Sequence, residues 1–400
     1  MNQALEGIRV VDLTVEFWGS IGAALLADFG AEVIRVESLT EAPALGAEYE
    51  HAPGAWNAFA ALAQRNKQSL AVDLTSARGR SLVQDLVATA DVLITDRPRD
   101  TLAAAGLDYA ALVAKKADLI YARGSGFGPK GPDADLPAID ELAAARTGMM
   151  PILPQPGQPP VFPGHGQMYT AVMLPFGILT ALHHRAKTGE GQEVDASLLA
   201  GNMYGASLDL QAYLAIGGER MLQPISRLDA GNPMSGTVYM SEDGPWVTLT
   251  MPDTDRWWPI FAPLVELAVD DPRFDTHDKR CGTNRLEMMQ VLERAFRRKP
   301  AAHWRAMFQE HQLSADIIES YEFPAADAQV YRNRYLVEVD DPSHGKQTTL
   351  GFPIFMRETP ARLSGGAPAR GQHSAAILHD VLGLSEDEVT ALRDAGTIGG

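Results

Sequence analysis

Residues 8–36 read IRVVDLTVEFWGSIGAALLADFGAEVIRV, and this stretch decides the fold class. Ile8–Leu13 is a short apolar run with β-branched residues, which predicts a strand. Gly19–Phe29 is rich in Ala and Leu and predicts a helix, and Ala31–Val36 (AEVIRV) predicts a second strand. Strand, helix and strand in so short a span form a β-α-β unit, and such units build a parallel, doubly wound sheet. The pattern runs on: Ser69–Asp73 predicts a strand, Ala77–Thr89 a helix, and Val92–Thr95 and Leu119–Arg123 two further strands. The fold class is therefore α/β.

Further along, Gly124–Pro132 (GSGFGPKGP) is a loop, and Met150–Gly166, with six prolines, predicts extended chain with no regular period. A helix is expected from about Met168 to Lys187, stopped at Thr188–Gly189, where glycine can take the left-handed position. Gln192–Tyr213 predicts more helix. After it the texture changes. Val238–Met251 alternates around the turn Glu242-Asp243-Gly244 and predicts a hairpin. Arg285–Arg297 and Ala301–His311 predict amphipathic helices, and Glu386–Ala395 a short terminal one. The expected organisation is a large unit from residues 1–200 and 330–400 and a smaller α+β unit at 225–325, with 201–224 and 326–329 as linkers.

Four hundred residues exceed one ordinary compact core, which agrees with two domains. No apolar run reaches the ~20 residues that span a bilayer, and the start MNQALEGIRVVDL predicts no secretory signal. Cys281 is the one cysteine, so no intrachain disulfide or thiolate metal cluster is expected; this suits a reducing, cytoplasmic location. The net charge of −17, with no cluster of Lys and Arg, argues against nucleic acid. A polyanionic small ligand would need a local basic pocket.

The β-α-β start invites a dinucleotide, but the first turn, Thr14–Gly22, has no G-x-G-x-x-G. Gly124–Gly131 has glycines without G-K-[ST], so it is no phosphate-binding P-loop. His183 and His184 are adjacent and point to different faces, and His165 has no second ligand nearby, so no metal site is expected. Gly124-Ser125-Gly126 is only half of a serine-hydrolase elbow. Asp140 and Glu141 open a helix, as the helix dipole alone would favour, or else serve a site. Trp257-Trp258 reads as core or as a ligand platform.

Nine segments, in order, resemble the family III CoA-transferases of the CaiB/BaiF type, which are related to the acyl-CoA racemases. They are Leu5–Thr14, Leu26–Glu37, Asn66–Leu74, Ala90–Ile94, Gly106–Tyr109, Ser125–Pro132, Gly177–Asp195 (GILTALHHRAKTGEGQEVD), Asp271–Phe274 and Leu382–Glu388. The resemblance implies a Rossmann-like large domain made by both chain ends, a small inserted domain, and two subunits interlocked as rings. It implies acyl-CoA and a carboxylic acid as substrates, with coenzyme A as substrate and no permanently bound cofactor. In the family an aspartate attacks the thioester, and a mixed anhydride and then an aspartyl-CoA thioester follow.

That aspartate lies ten residues before the G-I-L-x-A-L element, a position that here holds Gln167, preceded by Gly166. Two phosphate-holding arginines of the family fall at Ser38 and Ala104, with Arg35, Arg97 and Arg99 as replacements from other directions. The resemblance puts the CoA contacts at Val15, Phe17, Arg35, Val72, Arg97, Thr101 and Phe127. The racemases carry a histidine before the aspartate of their Gly-His-Asp element, whereas Ile139 precedes Asp140 here. Three functions remain open at this point: a CoA-transferase, a non-catalytic subunit paired with an active paralogue in a heterodimer, or a hydrolase or lyase in which Gln167 donates a hydrogen bond.

Overall fold

The computed structural model describes residues 3–40, 56–341 and 344–400. They divide into two compact units. The larger holds residues 1–149, 162–217 and 331–400, and the smaller holds 150–161 and 218–330.

The larger unit is built on a seven-stranded sheet. Its strands are β1 (Arg9–Leu13), β2 (Glu32–Ser38), β3 (Lys67–Val72), β4 (Val92–Thr95), β5 (Ile120–Ser125), β6 (Gln192–Ser197) and β12 (Ile398–Gly399), in the order β12-β3-β2-β1-β4-β5-β6. Neighbours from β3 to β6 run parallel, and only β12 is antiparallel, to β3. Side chains alternate faces along a strand, so each strand feeds two cores. Val10, Val33, Ile94 and Ile120 point to the face covered by α1 (Phe17–Asp28) and α8 (Gly166–Thr188). Val11, Ile34, Leu93 and Tyr121 point to the opposite face, with α3 (Ala77–Thr89), α16 (Ser374–Asp380) and α17 (Glu386–Asp394). The C-terminal residues thus complete a core begun by the N-terminal ones.

Between these elements lie α2 (Ala58–Gln64), α4 (Arg99–Ala105), α5 (Tyr109–Val113), α6 (Asp140–Ala144) and the single turn α7 (Met149–Ile152). After β6 come α9 (Leu198–Gly205) and α10 (Ser207–Ile216). One expectation fails here. Gln192–Ser197 is not helix but the edge strand, paired with β5 from Ile120↔Gln192 to Ser125↔Ser197. Its polar residues Glu193 and Asp195 alternate with Val194 and Ala196, and this period of two was lost beside the helix that follows. Gly191 stands just before the strand: a Cβ there would lie 2.2 Å from the Leu119 carbonyl oxygen. The preceding helix ends as expected, with Gly189 left-handed at φ 79°. A hairpin of β10 (Leu336–Asp341) and β11 (Gly345–Leu350) also belongs to this unit.

The smaller unit holds an antiparallel sheet of β7 (Ser235–Met240), β8 (Trp246–Thr250) and β9 (Ala315–Ile318), in the order β7-β8-β9. The helices α11 (Thr254–Leu264), α12 (Arg285–Phe296) and α13 (Ala301–Glu310) pack on it around Tyr239, Phe261, Phe296 and Trp304. Two short helices, α14 (Glu322–Ala326) and α15 (Ala328–Arg332), follow. Trp258 is buried and donates its indole N–H to the Val269 carbonyl at 2.9 Å, which makes it core rather than platform. Residues 150–161, expected in the larger unit, group with the smaller one, where the Gln155 side chain accepts from the Arg227 N–H at 3.1 Å.

Candidate active site

In a doubly wound sheet, ligands bind beyond the carboxyl ends of the strands, where the order reverses. That point lies between β1 and β4. There Asp96, the residue after β4, reaches across and accepts hydrogen bonds from the backbone N–H groups of Val15 (2.7 Å) and Glu16 (2.9 Å). Gly19 makes room, because a Cβ there would lie 2.7 Å from Asp96 Oδ2. Burial pushes the Asp96 carboxyl up to about 7, and the two N–H groups only partly offset it. The place where a pyrophosphate sits in dinucleotide folds is therefore filled by the chain's own carboxylate, consistent with the missing glycine fingerprint.

A cavity of about 590 Å³ lies to one side of this point, lined among others by Ser38, Arg80, Arg97, Thr101 and Ala104. Arg97 Nε donates to the Leu13 carbonyl (3.2 Å), and Arg80 Nη1 to the Thr75 carbonyl (2.7 Å). The two positions that lack the expected arginines thus face one cavity, and two other arginines reach it. Arg35 does not line it. Its guanidinium donates to Ser20 Oγ (2.9 Å) and joins a buried network with Asp12 and Lys67, which are paired at 2.7 Å. Burial pushes Lys67 down to about 8. Val72 is wholly buried in the core. Of the seven expected contact residues only Arg97 and Thr101 line this cavity; Arg35 and Val72 are held elsewhere by burial, and Val15, Phe17 and Phe127 lie outside it.

A second cavity, of about 460 Å³, lies on the other side of residues 96–100, lined by Arg99, Arg123, Ser125 and Ala138 among others. Arg123 on β5 stands beside its register partner Asp195 on β6, with 3.5 Å between Nη1 and Oδ2. Ser125 Oγ donates to Asp195 Oδ1 at 2.7 Å. Burial holds Asp195 above the usual carboxylate range despite Ser125 and Arg123. Phe127 is buried nearby in the sequence, with the Arg146 guanidinium 4.4 Å above its ring centre. Val15 is exposed, and Phe17 meets Phe59 edge-on at 5.3 Å.

Gln167 is the second residue of α8. It is half-buried, and its carboxamide makes no hydrogen bond to another described residue. Directly before it, Gly166 packs against Asp140 and Asn202: a Cβ on Gly166 would come within 2.0 Å of Asn202 Nδ2 and 2.3 Å of Asp140 Oδ1. Asn202 Nδ2 donates to Asp140 Oδ1 at 2.7 Å. Asp140 Oδ2 is buried without a hydrogen-bond partner among the described residues. Asp140 therefore packs against the start of α8 at Gly166, the residue before Gln167. Met168, the next residue, lines a third cavity of about 430 Å³ with Ile21, Leu25, Leu62 and Phe352, an apolar space.

Asn202, Asp96 and Arg123 were not anticipated. Asp96 carried a signal, since it follows a strand at the reversal point. Asn202 carried none, because nothing local ties it to Asp140. His183 and His184 are both exposed, and no group of three metal-ligating side chains occurs among the described residues.

The sequence profile of CoA-transferase family III matches residues 5–374. The chain belongs to that family. Among its relatives is the cinnamoyl-CoA:phenyllactate CoA-transferase of Clostridium sporogenes, 28% identical over 96% of this chain and 95% of that protein. The succinyl-CoA–D-citramalate CoA-transferase of Chloroflexus aurantiacus is 30% identical over 97% and 96%. The crystal structure of a CaiB/BaiF family protein from Brucella suis superposes with a TM-score of 0.82 at 26% identity, covering 95% of this chain and all of that one. This family III chain shares the mixed α/β fold with its parallel central sheet. Its membership supports CoA transfer in general, with CoA thioesters as substrate. No helix among the described residues is long and apolar enough to cross a membrane.

Proposed function

We propose that this chain binds an acyl-CoA at the carboxyl edge of its larger unit and passes the CoA to a carboxylic acid. The carrying observation is the convergence of Arg80, Arg97 and Thr101 on one cavity, in a chain of net charge −17 whose residues 5–374 match the CoA-transferase family III profile. Two guanidinium groups there supply the local basic pocket that a 3′-phosphorylated ADP needs. The pantetheine arm then passes exposed Val15 and half-buried Phe17 towards Gln167. Exposed apolar side chains on α8 and α10, among them Phe176, Leu208 and Ile216, need cover, and a second, interlocked subunit provides it. The area buried would exceed the ~2,000 Å² at which obligate interfaces begin. A reducing cytoplasm suits the lone Cys281.

A second reading is favoured by one observation, Gln167 itself. A carboxamide has no anionic form at working pH and cannot form the anhydride. The chain would then be the silent partner of an active paralogue.

Calorimetric titration of the purified chain with CoA and with dephospho-CoA tests the first reading, followed by an exchange assay. The expected result is tighter binding of CoA, with the preference reduced in Arg97→Ala, and measurable exchange. Binding without exchange favours the silent subunit, and equal affinity for the two ligands removes the assigned phosphate cavity.

A further inference from the structure

We propose that the apolar cavity between α1 and α8 receives the acyl group of the thioester, which makes the exchanged acids monocarboxylic acids with an apolar tail; this rests on the transferase reading above. The cavity encloses about 430 Å³, within the roughly 300–1,000 Å³ usual for a ligand pocket. α1 supplies Ile21 and Leu25, one turn apart, and α8 supplies Met168 and Val172, spaced likewise. Phe17 stands one turn before Ile21 on α1. Phe17, Phe127, Ile21, Leu25 and Met168 belong to one apolar cluster. The apolar surface along the path assigned to the pantetheine arm is therefore continuous with the cavity wall. Met168 directly follows Gln167, the position towards which that arm runs.

The far wall is the segment 350–353, and buried charge clamps it in place. Arg65, at the end of α2, donates from Nε and Nη2 to the Asp28 carboxylate at 3.0 and 2.6 Å. It also donates from Nη1 to the Leu350 carbonyl and from Nη2 to the Gly351 carbonyl, the latter at 2.8 Å. A folded chain closes an apolar gap where it can, whereas this gap is spanned by a clamped segment and left open. Arg65 is also the only charged side chain among the described lining residues. Four of its five N–H groups are used in those bonds, and Asp28 matches its charge. A carboxylate at the tail of an acyl group would enter this space with no free cation to pair with, and would carry the cost of its desolvation. A methyl group in the same place gains by leaving water.

The test measures kcat/KM of the purified full-length chain for acetyl-, butyryl-, hexanoyl-, succinyl- and adipoyl-CoA, each exchanged against its own labelled acid. Butyryl and succinyl differ only by a terminal methyl replaced with a carboxylate, and so do hexanoyl and adipoyl. Two added methylenes should raise kcat/KM about 10-fold from butyryl to hexanoyl. Hexanoyl-CoA should exceed adipoyl-CoA by about 100-fold or more. Val172→Trp, at an exposed position of the lining, narrows the cavity, and the ratio of hexanoyl to acetyl exchange should fall about 10-fold. The series in the unaltered chain decides the matter even if that variant does not fold. Exchange that ignores chain length, adipoyl-CoA used as well as hexanoyl-CoA, or an unchanged ratio in folded Val172→Trp overturns the acyl assignment and leaves the transferase reading standing; the cavity is then covered by the partner subunit. Exchange with none of the five thioesters overturns both.

Discussion

Asp96→Asn should abolish a pH dependence of stability that the wild-type chain carries at its ligand edge. The folded Asp96 carboxyl is raised from 3.8 to about 7, chiefly by burial, so the folded state holds a proton that the unfolded state releases. The sign follows: this group's stability is full below the unfolded value, is lost as pH rises, and levels off above the folded value. Ionisation in the unfolded state opposes folding by about 1.7 kcal/mol at pH 5 and about 4.3 kcal/mol at pH 8, a difference of about 2.6 kcal/mol. Asp96 is 8% exposed, so solvent screens little of this. Asparagine keeps an oxygen for the Val15 N–H but offers no second acceptor to Glu16, a loss of about 1 kcal/mol that does not depend on pH. The slope, not the level, is therefore diagnostic. Calorimetric melts at pH 5, 6, 7 and 8 should show the wild-type transition falling relative to Asp96→Asn by about 4 °C or more across the range. Melting curves that stay parallel from pH 5 to 8 would refute the buried, proton-holding carboxyl.

Other perturbations follow from the same geometry. Ala104→Arg places a cation on an exposed position facing the first cavity, and titration should show CoA binding ~10-fold tighter with little change for dephospho-CoA. Lys67→Met takes the closest cation from buried Asp12 and leaves only Arg35 at 3.9 Å, so chemical unfolding should show a loss of about 3 kcal/mol. Gly124→Val puts a Cβ about where the Trp18 ring stands, 2.2 Å from Cη2, and a thermal melt should show destabilisation of at least about 1–3 kcal/mol.

Much of the larger unit was legible because a parallel sheet writes apolar strands between Ala- and Leu-rich helices. IRVVDL and AEVIRV both became strands, paired from Arg9↔Glu32 to Asp12↔Arg35. The edge strand Gln192–Ser197 was not legible, since an edge buries less and its alternation is half polar. The site was legible in part. Positions 140 and 167 could be named singly from the chain. That Gly166 packs against Asp140, and that Asn202 orients Asp140, depends on packing between α6, α8 and α9 that no local pattern encodes. Arg35 reads as an available cation in sequence, yet burial gives it to Ser20, Asp12 and Glu37. Sequence shows charge but not where it is already used.

The central claim is that this chain alone moves CoA between acids. The direct measurement follows isotope-labelled carboxylic acid into the thioester pool, with purified chain, an unlabelled acyl-CoA and no nucleotide triphosphate. Label should enter the acyl-CoA while total thioester stays constant. A thioester pool that stays unlabelled, whether intact or hydrolysed to free CoA, would contradict the account.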